Sequence, residues 1–396
     1  MAATSQRPLH GVTVVTLEQA VAAPFATRQL ADLGARVIKI ERREGGDFAR
    51  AYDSAVKGLS AHFVWLNRSK ESVTLDLKHP AARGILQRLM TRADVFMQNL
   101  APGATDRLGL SADALRAANP RLIVCNVSGY GTSGPYASKK AYDLLIQSEV
   151  GVVSITGTEE TPSRVGISIA DIAAGMYAYT GVLTALIQRQ STGSGTTIDV
   201  SLFDALAEWM GFPAYYAAYT GKDIRRSGPN HISIAPYGPF RASDGHIFLS
   251  IQNVREWERF CEEVLEQPAV ATEERFRTNE ARVRHRDELK AVIETVFARL
   301  MLAEVEARLE AAQIANARMN SVTQFLEHPQ LTERGRWTEI GSEAGPLRAL
   351  PPPVAIEGVD PVMGDVPALG QHTGAVLTEL GFDAETIARW QKEAVI

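Results

Sequence analysis

Cysteine is nearly absent from this 396-residue chain: Cys125 and Cys261 are its only two, far apart and outside any CxxC spacing. That argues against a disulfide scaffold or a cysteine zinc cage and suits a reducing compartment. None of the eight histidines falls in an HExxH pattern or another clear metal-ligand spacing, so no metal is expected. Basic excess is lacking too. With a formal net charge of −5 and a pI near 6.0, the chain has no cationic footprint of a nucleic-acid binder. No apolar run approaches the roughly 18 residues of a membrane span. The stretch Met1 to Leu9 carries one arginine and no apolar region of a secretory signal. A cytoplasmic protein is expected, with neither nucleic acid nor membrane as partner. No GxSxG elbow is present, which disfavours a serine hydrolase of that type.

What is there reads as an ordinary globular protein, 45% apolar and 22% charged, longer than one hydrophobic core usually supports. Short β-like runs alternate with helical stretches through the first 200 residues, the pattern of an α/β domain on a largely parallel sheet. Strands are expected at Val12–Leu17, Arg36–Glu41, Ser72–Leu77, Asp94–Met97, Arg121–Val127 and Thr197–Val200. Helices are expected at Phe25–Leu33, at Pro80–Thr91 with proline in its first turn, and as one long apolar element from Phe203 to about Tyr219. Gly221–Asn230 is charged and loop-like, a plausible boundary. A smaller α+β unit follows over residues 225–315. The large domain takes residues 1–200 and 325–396, with linkers at 201–224 and 316–324.

Asp171 is the most informative residue. It is the lone acid in Val165-Gly166-Ile167-Ser168-Ile169-Ala170-Asp171-Ile172-Ala173-Ala174-Gly175, among small and apolar neighbours. An ionised carboxylate is costly there unless something pairs with it or uses it. Two readings stay open: an N-cap accepting backbone N–H bonds, or a carboxylate nucleophile held at a helix start. Gly129-Tyr130-Gly131-Thr132-Ser133-Gly134 matches GxGxxG, but Pro135 follows directly where a dinucleotide fingerprint opens a helix. A tight turn after a strand is the better reading. Lys39, Arg42, Arg43, Arg107, Lys139 and Lys140 stand near strand ends, where they could hold a cofactor's phosphates.

Several separated motifs resemble the family III CoA-transferases (CaiB/BaiF type). They begin with Ala23-Pro24, then Leu30-Ala31-Asp32-Leu33-Gly34-Ala35 through Glu41-Arg42. Leu66-Asn67-Arg68-Ser69-Lys70, Asn99 to Gly103, Ser128-Gly129-Tyr130-Gly131 and Ala170-Asp171 continue in order. Ala235-Pro236-Tyr237-Gly238, Arg275-Phe276, His328-Pro329-Gln330 and Gly370-Gln371-His372-Thr373 complete the set.

The resemblance implies a large Rossmann-like α/β domain built from both chain ends, a smaller α+β domain, and a homodimer of interlocked subunits. It places Asp171 on the family's nucleophile and Arg42 and Arg107 where the CoA nucleotide is held. Asn99, Leu100 and Lys140 fall on the CoA-binding walls. The coenzyme A thioester is then a substrate, with no tightly bound cofactor. The implied activity moves CoA from succinyl-CoA to a short dicarboxylate such as itaconate, mesaconate, citramalate or malate, through an aspartyl-CoA thioester. Ser233–Gly238 lacks the glycine run of the oxalate-specific branch. The alternatives are an α-methylacyl-CoA racemase, against which Tyr142 stands where the racemase histidine belongs, and a non-catalytic CoA-binding protein. Arg28, Arg50 and Arg164 are candidates for the acceptor's distal carboxylate.

Overall fold

The computed structural model describes residues 7–396. Its largest sheet has six parallel strands: β1 (Thr13–Leu17), β2 (Arg36–Glu41), β3 (Lys70–Thr74), β4 (Val95–Gln98), β5 (Ile123–Ser128) and β6 (Thr197–Ser201). Val14, Val15, Val73, Val95, Phe96 and Val124 on these strands have no exposure at all. Near-continuous β-branched and apolar runs of this kind are what a parallel sheet covered on both faces requires. The spatial order is β3-β2-β1-β4-β5-β6. The chain thus winds outward from β1 through β2 and β3, then crosses back to β4. Val15 lies in register with Ile38 of β2 on one side and Phe96 of β4 on the other. Such a reversal opens a crevice at the carboxyl ends of β1 and β4, the usual ligand position in doubly wound sheets.

β3 begins two residues before the expected strand because its first residues, Lys70 and Glu71, are charged and disguise it; Lys70 is nevertheless buried. The expected helix from Phe203 to Tyr219 is two helices, Leu202–Trp209 and Gly211–Thr220. Pro213 accounts for the break, since it supplies no N–H and its ring clashes with the carbonyl of Trp209.

The long helix Ile169–Thr192 packs on α1 (Ala22–Asp32) with a face of small residues: Ala170, Ala173, Ala174, Gly175 and Ala178 are buried. At Gly175 a Cβ would sit 2.6 Å from the Ala22 carbonyl oxygen, so no larger residue allows this approach. By length and composition this helix could cross a membrane, which the linear reading missed because Asp171 and Arg189 interrupt the run. Arg189 is itself buried and pairs with Asp94 at 2.9 Å.

The chain divides into two compact units. The first takes the chain up to Val150, Gly166–Phe212 and Gln330–Ile396; the second takes Gly151–Val165 and Pro213–Pro329. Residues 151–165 thus group with the smaller unit rather than with residues 1–200. Arg226 donates to the carbonyls of Thr158 (2.7 Å) and Glu159 (2.6 Å), and the Gly228 amide donates to Gly157 (2.9 Å), which ties that stretch in. The second unit carries an antiparallel sheet, β7 (Tyr237–Arg241), β8 (His246–Ser250) and β9 (Ala315–Arg318). Helices including Arg286–Phe297 and Leu302–Ala311 enclose a core around Trp257, Phe260, Phe276, Ile293, Phe297 and Leu309.

Candidate active site

Asp171 is the third residue of the Ile169–Thr192 helix, one turn before Gly175 and on the same face. It is not the cap. Ser168 holds the N-cap position without a side-chain cap bond, and the free amides of the first turn are met by another helix. Asp143, the first residue of helix Asp143–Glu149, accepts the Ala170 N–H at 2.8 Å and the Asp171 N–H at 3.4 Å through Oδ1. Its Oδ2 accepts from Gln147 at 2.7 Å.

Two carboxylates are thereby brought to one helix start. Asp171 is partly buried, and no cation among the described residues comes within ion-pair distance of it. Burial first, and the negative charge of Asp143 second, push its carboxyl up to about 7. A helix N-terminus favours the anion, but here desolvation and like charge win. Tyr52 lies in the same field: burial, Asp47, Asp171 and Tyr142 together raise its phenol to about 12.

The crevice wall after β1 is held by Asn99, an expected site residue, and by Asp47 and Gln19, which sequence reasoning missed. Asn99, just past β4, clasps the backbone of Gln19, accepting its N–H and donating to its carbonyl, each at 2.8 Å. Asn99 thus joins the carboxyl ends of β1 and β4. The Asp47 carboxylate accepts from Ala20 at 3.0 Å and from Ala49 at 2.9 Å, and fixes Ala20 in its left-handed conformation, φ 60°. The Gln19 side chain accepts from the Phe48 amide at 3.1 Å.

Beneath this wall lies a cluster of fully enclosed charges. Glu18 accepts from Lys70 (2.7 Å) and Thr27 (2.7 Å), and Lys39 pairs with Asp47 at 2.6 Å. Burial alone would raise Glu18, but Lys70 and Lys39 outweigh it and hold the carboxyl low. Burial likewise opposes the Lys39 charge, and Glu18 with Asp47 overcomes it. The sequence offered no signal for this cluster beyond a lysine placed inside a strand, Lys39 in β2.

The expected cofactor residues fall at the carboxyl edge of the sheet. Arg42 follows β2, is exposed, and donates to the Gly46 carbonyl at 3.0 and 3.2 Å. Arg107 lies exposed in the helical turn Ala104–Arg107 after β4, and Lys140 is exposed in the loop after β5. The Leu100 amide is fixed by Gln98 at 2.8 Å. Lys39 is a correction: it is entirely buried and unavailable to a phosphate. Arg43 donates to the Ile396 carbonyl, and Lys139 pairs with Glu149. The GxGxxG stretch is a turn, with Ser128 Oγ accepting from Gly131 at 3.0 Å. Of the arginines considered for an acceptor, Arg28 is buried against Asp32 at 2.6 Å. Arg50 is held by Glu41 at 2.8 Å. Arg164 is exposed and forms no ion pair with a described residue.

This arrangement matches known proteins along its whole length. The model of CoA-transferase family III matches residues 9–373. A succinate–glutarate CoA-transferase of Agrobacterium fabrum is 33% identical over 392 residues, covering 96% of this chain and 97% of that protein. A succinyl-CoA–D-citramalate CoA-transferase of Chloroflexus aurantiacus is 32% identical over 400 residues, covering 98% of each. The crystal structure of a CaiB/BaiF family protein from Brucella suis superposes with a TM-score of 0.85 at 33% identity, covering 95% of this chain and 100% of that one.

Proposed function

The chain belongs to CoA-transferase family III, and we propose that it moves CoA from succinyl-CoA to a short dicarboxylate with Asp171 as the acyl carrier. One observation carries this reading: a partly buried carboxylate with no cation partner, its proton held up to about 7, at the start of the helix that packs on α1. Relatives are named for succinyl-CoA with glutarate and for succinyl-CoA with D-citramalate. Glutarate, citramalate, malate, itaconate and mesaconate share four- or five-carbon backbones and form the acceptor class.

The ionised Asp171 attacks the thioester carbonyl; the C–S bond breaks and the thiolate leaves, giving a mixed anhydride. Thiolate then attacks the aspartyl carbonyl, releasing the donor acid and leaving an aspartyl-CoA thioester. The acceptor carboxylate displaces the thiolate to form a second anhydride, and the thiolate takes the new acyl group and frees Asp171. Raising the carboxyl toward 7 makes its anion more basic, hence a better nucleophile, while about half remains ionised at neutral pH. Arg42, Arg107 and Lys140 hold the CoA phosphates, with Asn99 and Leu100 shaping the wall beside them.

The racemase alternative needs a base where Tyr142 stands, 65% exposed and a phenol. A homodimer working in the cytoplasm completes the proposal. The dimer part of this reading is supported by large apolar side chains exposed on the first unit, among them Ile187 (68%) and Trp209 (47%).

Hydroxylamine provides the test. With succinyl-CoA alone it should release CoA and inactivate the enzyme, leaving a hydroxamate at Asp171 by peptide mass. Purified Asp171→Asn should bind CoA yet retain less than a tenth of the exchange with a panel of acids that includes oxalate. Rapid deuterium uptake into a 2-methylacyl-CoA, without a hydroxylamine-sensitive intermediate, would instead establish the racemase.

A further inference from the structure

The three glycines of the GxGxxG stretch shape a closed loop. Gly129 to Tyr142 connect β5 to the helix Asp143–Glu149. A Cβ on Gly129 would sit 2.2 Å from the Cβ of Ala141, so the two ends of the loop touch and only glycine lets them. Gly131 and Gly134 take φ of 90° and 82°, the left-handed region that glycine enters freely. The chain turns back on itself and brings Lys139 over two rings. Its Nζ lies 4.3 Å from the centre of Tyr136 and 5.2 Å from that of Tyr130. These rings meet edge to face at 5.4 Å, and Tyr130 also packs against Phe203 at 5.9 Å. The Tyr130 hydroxyl has no hydrogen-bond partner among the described residues, so this residue serves the loop through its ring.

Lys139 also pairs with Glu149, the last residue of the helix that Asp143 begins. An acid at a helix C-terminus works against the helix dipole, so Glu149 is unfavourable there without its cation. The Lys139 ammonium is in turn held above the ordinary lysine value, by the Glu149 hydrogen bond first. One side chain thus fastens the rings at the start of the loop to the far end of the next helix. Lys140 beside it is exposed and forms no ion pair with a described residue. Two adjacent lysines are therefore used differently. The charge of Lys139 is neutralised within the loop, and that of Lys140 stays open.

We propose that Lys139 is a positioning residue: with Tyr130, Tyr136 and Glu149 it clasps the loop shut, and the closed loop presents Lys140 to the phosphates of CoA. The inference rests on the proposed reading for its ligand alone; it requires CoA to bind and needs no turnover.

The sign of one effect separates positioning from direct contact. If Lys139 itself held a phosphate, Glu149→Gln would release it and tighten CoA. A clasp predicts the reverse. Glu149→Gln and Lys139→Met should each raise the Kd of CoA, measured by calorimetry on the full chain, about fivefold, the scale of one exposed cation–π contact. The double variant should lose no more than either single change, because both break the same clasp. Lys139→Arg keeps the charge and stacks on aromatic rings, so it should stay within about twofold of the wild type. The KM for succinyl-CoA should follow the Kd while kcat stays in place. Amide exchange read by mass spectrometry should quicken over residues 137–141 in Lys139→Met. Tighter or unchanged CoA binding in Glu149→Gln, additive losses in the double variant, or unaltered loop exchange in Lys139→Met would each overturn the proposal. A wild type that binds no CoA would overturn it together with the transferase reading, whereas one that binds CoA but transfers none would sink that reading alone.

Discussion

Two groups of carboxylates in the first unit are withdrawn from water, one fully and one in part, and meet opposite fates. Around β1 to β3, Glu18, Glu41 and Asp47 each face an ammonium or guanidinium: Lys70, Arg50 and Lys39 respectively. Burial would raise Glu41, but the Arg50 hydrogen bonds lead the opposing causes and hold it at about 2. At the start of the Ile169–Thr192 helix, Asp171 has Asp143 where a cation would be, and rises to about 7. Desolvation acts on both; the sign of the neighbour decides the outcome. The paired set fixes loops, and the unpaired acid is left in a high-energy ionised form that can react. Deep burial of charge alone therefore does not single out a carboxylate here, whereas burial without a counter-charge singles out the acid proposed as acyl carrier.

Breaking the paired set should produce the largest effect on stability. Lys70→Met removes the nearer cation of Glu18 and leaves that buried anion to Lys39 alone at 3.4 Å, so the loss should reach the lower end of the about 3–5 kcal/mol for a broken buried pair. Urea unfolding should show a lower midpoint and an unfolding free energy reduced by that amount. Glu18→Gln with Lys70→Met should lose less than the sum of the single changes, because each single change strands a charge that the double change removes. Additive losses would mean that the two side chains are not coupled as their 2.7 Å contact requires.

The unpaired site predicts the opposite sign. Since the folded state holds the Asp171 proton more tightly than an unfolded aspartate of 3.8, the folded protein is penalised as pH rises from about 4 through 7. Asp171→Asn removes that penalty. The variant should gain about 2 kcal/mol at pH 8, below the full shift because Asp171 keeps some solvent contact, and almost nothing at pH 4. Glu41→Gln should behave inversely. Its lowered carboxyl contributes stability above 4.5 that fades as pH falls toward 2, so the variant's loss is largest at neutral pH. Thermal melts across pH 2–8 check both, and an Asp171→Asn melt below wild type at pH 8 would contradict the comparison.

Legibility followed range along the chain. The strand Arg36–Glu41 was readable to the residue because its β-branched pattern is local, and the anomaly at Asp171 was visible within the window Val165 to Gly175. Asp143 was visible only as the residue after Tyr142; its contact with Asp171 spans 28 positions, and no local pattern encodes it. Lys39 reads as a surface cation because lysine usually is one. Its burial depends on Glu18 and Asp47, which the chain brings to it from other loops. Asn99 sat on a recognised wall, but its two bonds to Gln19 cross 80 residues and required the β1–β4 reversal to form.

The finest test removes only the like charge beside Asp171. Asp143→Asn keeps an oxygen where the Ala170 N–H now donates at 2.8 Å, so the helix start stays capped and the melt should move little. What disappears is the second cause of the raised carboxyl, while burial, the first, remains. The acidic limb of kcat/KM, expected near 7 in the wild type, should therefore move to lower pH without reaching the free aspartate value. At pH 6 the wild type should run at about a tenth of its own plateau, the ionised fraction one pH below its midpoint, and the variant at a larger fraction of its own. Its plateau at high pH should be somewhat lower, since a less basic carboxylate attacks a thioester less readily. A limb that stays near 7 in a correctly folded Asp143→Asn would assign the shift to burial alone and reduce Asp143 to a helix cap.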